Sequence, residues 1–125
     1  MLNSSSTKEL RVVLFSTDLL LVSSVSGAAA SAGLPFSSVS TGPELIEKIA
    51  AYECVVCLDL NASHGDPMDL RHDIPDQVLQ RAIAFGPHVH KERLEQAKQA
   101  GFGKVMSRGQ FVASMRQEFL AASTK

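Results

Sequence analysis

The stretch ECVVCLDLN, Glu53 to Asn61, holds two kinds of side chain that do chemistry, a pair of cysteines and a carboxylate. Cys54 and Cys57 have the spacing of a zinc or redox pair. They are separated, however, by Val55 and Val56 within an apolar run that reads as a strand. Side chains alternate faces along a strand, so residues three apart point to opposite sides. The two thiols therefore cannot share one metal or close an easy disulfide, and they read as small buried hydrophobes. Asp59 ends the same run. On its own it reads as a solvated loop or capping residue. At the carboxyl end of a central parallel strand it would instead face the binding crevice of the sheet.

The histidines offer a second chemistry. AFGPHVHKERL places His88 and His90 in one loop, and His64 with Asp66 falls in another. An H-x-H pair with a third histidine and a carboxylate could ligate a transition metal. The plainer reading leaves His88 solvated and His90 flanking a helix. No glycine-rich phosphate loop and no nucleophile elbow is present, so an enzyme is not expected.

These residues need elements to position them. RVVLFS, Arg11 to Ser16, reads as a strand covered on both faces. Thr17 or Asp18 can cap the helix that follows, from Leu19 to Ala32, with Gly33 just beyond it. PFSSVS suits an edge strand. TGPELIEKIAAYE reads as a helix with Pro43 in its first turn and Leu45, Ile46 and Ile49 on one face. CVVCLDL is the third strand. From Asn61 to Gln80, Pro67 and Pro75 leave only a loop and a short or irregular helix. RAIAFG, HKERLEQAKQAG, KVMS and GQFVASMRQEFLAA then read as strand, helix, strand and closing helix, the last with Phe111, Met115 and Phe119 on one stripe. Five alternations of strand and helix imply a three-layer α/β sandwich on a parallel sheet with right-handed crossovers.

Composition narrows the class. The chain has 125 residues, 45% of them hydrophobic and 20% charged, with a net charge of −1. That is one domain with a real core, and it has no basic field for nucleic acid or an anionic membrane. MLNSSSTKEL lacks the apolar segment of a secretory signal. Residues 1–10 are expected to form a disordered arm, residues 11–122 a single domain, and the setting is expected to be cytoplasmic. The helix from Leu19 to Ala32 contains no charged residue, and its outer side is Ser, Ala and Gly. With too many serines and too little length to span a membrane, it is expected to meet a protein partner, most simply a second copy of the chain.

From about Arg11 to Leu120, the order and spacing resemble the receiver domains of bacterial two-component response regulators. CVVCLDLN resembles the third receiver strand, with Asp59 in the phosphoacceptor place. AGFGKVMSRGQF resembles the segment leading to that family's lysine and the proline after it. The resemblance implies a flavodoxin-like sheet of strand order 2-1-3-4-5. It also implies a crevice lined by Ser16, Thr17, Asp18, Asn61, Gly86, Ser107 and Arg108. Against the family pattern, Ser16 and Thr17 stand where an acidic pair belongs. Gly86 replaces a hydroxyl residue, Arg108 the lysine and Gly109 the proline.

Those departures weaken phosphotransfer chemistry, because Mg²⁺ needs carboxylates and the family's switch needs the missing hydroxyl. Mg²⁺ binding is therefore expected to be weak and no cofactor is expected. Arg108 is expected to pair with Asp59 or with an oxyanion. The expected function is that of a stand-alone pseudo-receiver, a signalling or protein-interaction module without conventional phosphotransfer. The alternatives are a small-ligand, anion or metal sensor at the carboxyl edge of the strands, using Asp59, Arg108 and the His88–His90 loop, and an atypical receiver phosphorylated on Asp59.

Overall fold

The computed structural model describes residues 9–61 and 66–124. The disordered arm expected at the amino terminus falls almost wholly on residues 1–8, and His64 falls in residues 62–65, all outside the described residues.

Alternation of apolar strands with helices produces five parallel strands, β1 (Leu10–Phe15), β2 (Phe36–Val39), β3 (Glu53–Asp59), β4 (Ile83–Gly86) and β5 (Lys104–Ser107). They lie in the expected order β2-β1-β3-β4-β5. β1 begins at Leu10, one residue before the expected start, and ends at Phe15, so Ser16 stands just past the strand. β4 begins at Ile83, because Arg81 still belongs to the helix before it.

The helices are α1 (Leu19–Ser31), α2 (Gly42–Ala51), α3 (Pro67–Leu70), α4 (Asp76–Arg81), α5 (Lys91–Ala100) and α6 (Arg108–Ser123). Between α3 and α4 runs a 3₁₀ turn, Arg71–Asp73, in the stretch that the two prolines make irregular. Asp18 caps α1 by accepting from the Leu20 and Leu21 amides. Thr41 and Glu44 form a reciprocal capping box on α2. Gly33 and Gly101 follow or cap their helices at φ +77° and +97°, a backbone region that favours glycine.

Two cores result, one on each sheet face. α1 and α6 cover one with Leu21, Val25, Phe111, Met115 and Phe119 over Val12, Leu14, Val55, Cys57 and Phe85. The remaining helices cover the other, over Val13, Phe15, Cys54, Val56 and Leu58. Cys54 and Cys57 thus lie on opposite faces, buried and unbridged, and burial pushes the Cys57 thiol far up, with the Glu118 charge adding to it. Phe85 and Phe111 stack face to face with ring centroids 4.1 Å apart. One expectation fails on α2, where Leu45 and Ile49 are buried but Ile46 turns outward. Ile46 follows Leu45 directly, and a 100° step carries it off the buried stripe.

Among the described residues, the large apolar side chains left exposed are Leu19, Leu20, Ile46, Met68, Val89 and Val112. All sit in the loops, or in the first five residues of the helices, that follow the strands. They therefore gather at the carboxyl edge of the sheet.

Candidate functional site

The carboxyl ends of β1 and β3 bring Ser16 and Asp59 side by side, since Phe15 pairs with Leu58 in the sheet register. Both are buried, Ser16 at 3% exposure and Asp59 at 4%. The Ser16 hydroxyl donates to Asp59 Oδ2 at 2.7 Å, and the Asn61 amide donates to Oδ1 at 2.9 Å. Ser16 Oγ in turn accepts from the Asp18 amide at 3.1 Å. A buried carboxylate must be compensated, and here two donors of the chain itself provide that.

Asp18 is occupied as well. Its Oδ1 accepts from the Leu20 and Leu21 amides at 3.0 and 3.1 Å, and Arg108 Nη2 donates to Oδ2 at 2.7 Å. Arg108, then the Leu21 amide, hold this carboxyl below the usual carboxylate range. The expected pairing of Arg108 with Asp59 is therefore not made. As N-cap of α1, Asp18 projects from the loop after β1, and Arg108 opens α6 beside it, so the two charges meet across the crevice mouth. Ser107 caps α6, its side chain accepting from the Gln110 amide, and it also lines a hollow with His88 and Gln110 beyond the ends of β4 and β5.

Gly86 ends β4 as expected, and its empty side is not open space. A Cβ there would lie 3.2 Å from Leu60 Cβ, tighter than ordinary contact. Leu60 is buried and anchored by its amide to the Phe85 carbonyl at 2.8 Å. The place of a hydroxyl is thus filled by a leucine, a residue that sequence reasoning did not single out. The one available signal was Gly86 itself, since a glycine ending a strand often admits a neighbouring group. Thr17 and Asn61 are exposed at the rim, so only the Asn61 backbone takes part.

His88 and His90 are exposed in the loop after β4, and His90 stands at the N-cap of α5 without a capping hydrogen bond. Among the described residues no three His, Cys, Asp or Glu side chains come together as a metal site. Asp66 caps α3 through the Met68 amide.

No family model matches the sequence, and no curated protein matches it. Solved structures do. A two-component response regulator from Clostridium difficile superposes with a TM-score of 0.71 at 14% identity, over 94% of this chain and 100% of that one. A response regulator receiver domain from Rhodospirillum rubrum gives 0.68 at 15% identity, over 92% and 94%. The beryllofluoride-activated NtrC4 receiver domain dimer gives 0.69 at 19% identity, over 87% and 95%. The fold is that of a receiver domain. At these identities the likeness is one of architecture. Among the described residues no helix is long and apolar enough to cross a membrane.

Proposed function

We propose that this chain is a degenerate receiver, a signalling module that acts through contacts with a protein partner and without conventional phosphotransfer. The observation that carries the reading is the state of Asp59, buried with each carboxylate oxygen already accepting a hydrogen bond from the chain. Transfer of a phosphoryl group to an aspartate relies on a divalent cation, and Mg²⁺ demands oxygen ligands in near-octahedral array. Ser16 and Thr17 supply hydroxyls in place of carboxylates, and Asp18 is committed to Arg108 and to α1. The module accordingly works as a non-enzyme without a resident cofactor.

The test is an amide NMR titration with Mg²⁺ and beryllofluoride, repeated with acetyl phosphate. The expected result is no saturable shift at Leu58 to Asn61, Gly86 or Arg108. Saturable shifts there would replace this reading with an atypical receiver phosphorylated on Asp59.

The partner surface is α1, and the occupant we favour is a second copy of the chain. Leu19 and Leu20 are each 81% exposed, and no charge falls between them and Ser31. A two-fold contact would cover this uncharged face with its own equivalent. Light scattering across concentration is expected to reveal a dimer that Leu20→Glu splits. A monomer at all concentrations, unaffected by that change, would assign the face to a different protein.

A further inference from the structure

The opposite edge of the sheet, where the strands begin, holds a hollow of about 230 Å³. Its floor is Leu10, Val55 and Ile83, near the starts of β1, β3 and β4, and the last turns of α6 cover it with Ala121 and Ala122. Two methyl groups stand where larger side chains would close the space.

The rim is rich in donors. Arg81 is fixed by its Nε on the Cys54 carbonyl at 3.1 Å and its Nη2 on Glu53 at 2.5 Å, which leaves Nη1 without a bond among the described residues. Lys104 Nζ donates to Glu118 at 2.6 Å and has two further hydrogens. Gln80 adds an amide, and Glu118 is the single carboxylate of the lining. Lys104 is 54% exposed, so its pair with Glu118 is weakly held and can yield to a competing anion.

We propose that this hollow binds a small amphipathic anion, a short-chain carboxylate whose tail lies on Leu10, Val55 and Ile83 and whose head sits between Arg81 and Lys104. Size sets the class. Drug-sized ligands use pockets of about 300 Å³ or more, and a dry cavity of about 150 Å³ takes a benzene ring. A hollow of about 230 Å³ therefore suits a tail of roughly six carbons. The site lies at the other end of the strands from Asp59 and does not depend on how that residue is used.

Hexanoate is the probe, titrated into the full chain and followed by amide NMR, with hexanol and acetate as controls. Hexanoate is expected to give saturable shifts at Val55, Ile83, Lys104 and Ala122 with a millimolar Kd. Hexanol, which lacks the charge, is expected to bind about fivefold or more weakly, since charge-assisted hydrogen bonds are the stronger ones. Acetate is expected to give no saturable shift. Ala122→Leu fills the hollow and should abolish binding. Lys104→Gln, at a half-exposed position that tolerates change, should weaken hexanoate about threefold, with Arg81 holding the remainder. Shifts that never saturate, equal affinity for hexanol and hexanoate, or full hexanoate affinity in Lys104→Gln would overturn the proposal, even if Ala122→Leu fails to fold.

Discussion

The two edges of the sheet use their polar groups in opposite ways. At the carboxyl edge, Asp59, Ser16, Asp18 and Arg108 bond to one another or to nearby amides, and Leu60 takes the space beside Gly86. At the amino edge, Arg81 and Lys104 are paired yet keep donors toward a hollow left by two alanines. Topology places a crevice beyond the carboxyl ends of parallel strands. Whether it stays open is decided afterwards by side-chain volume and pairing. Here the space around Asp59 and Gly86 is occupied, while the amino edge keeps a hollow beside Arg81 and Lys104.

The strongest way to break this contrast acts at the amino edge. A Cβ on Gly103 would lie 1.8 Å from the Gln80 carbonyl oxygen and 2.5 Å from its carbon, so backbone must move. We expect Gly103→Ala to cost about 3 kcal/mol in urea unfolding, the upper range for overpacking. An unchanged midpoint would show that the approach of Gln80 to Gly103 is not rigid.

Next comes Asp59 itself. Removing the carboxylate leaves the Ser16 hydroxyl and the Asn61 amide without their acceptor. We expect Asp59→Ala to destabilise by about 2 kcal/mol, the penalty of buried donors left unpaired. The sign matters more than the size. In an open site of clustered carboxylates, removing one relieves repulsion and stabilises the fold, so a gain in stability would contradict a closed crevice.

Restoring a hydroxyl at Gly86 has a smaller effect. Gly86→Ser presses its Cβ on Leu60, and we expect a loss of about 1 kcal/mol. Leu60→Gly in the same chain, which takes away the Cβ at 3.2 Å, should remove most of that added loss, a coupling that a double-mutant cycle reads directly. Strict additivity would mean that Leu60 is not what fills the site.

The smallest effect belongs to the crevice mouth and appears as pH dependence. Arg108 and the α1 amides lower the folded-state pKa of Asp18 below its ordinary 3.8. Its stabilisation is therefore complete above that value and is lost as pH falls through the folded pKa. Asp18→Asn should lower the urea midpoint at neutral pH and converge with the parent as the pH falls below the folded-state pKa of Asp18. A constant gap down to the acid limit would remove Asp18 ionisation as the cause.

Much of this architecture was legible in the sequence because local chemistry and global fold agree. The apolar runs, Asp18, Gly33, Pro43 and Gly101 each mark an element or its end, and strand periodicity alone separates Cys54 from Cys57. The candidate site was legible only in its members. Arg108 and Asp18 lie ninety positions apart, and nothing local says that Arg108 reaches Asp18 rather than Asp59. Leu60 looks like any core leucine until the space beside Gly86 is measured. The hollow at the amino edge arises from volume that is missing, and a sequence pattern does not register missing volume.

The gathering of Leu19, Leu20, Ile46, Met68, Val89 and Val112 behind the strand ends gives the molecule a head and a tail, like a blunt surfactant. Such a body should not tumble indifferently at a boundary between water and air or oil. It should float with the carboxyl edge outward, adhere to phenyl resin by that edge, and lie in a thin vitrified film in one preferred orientation.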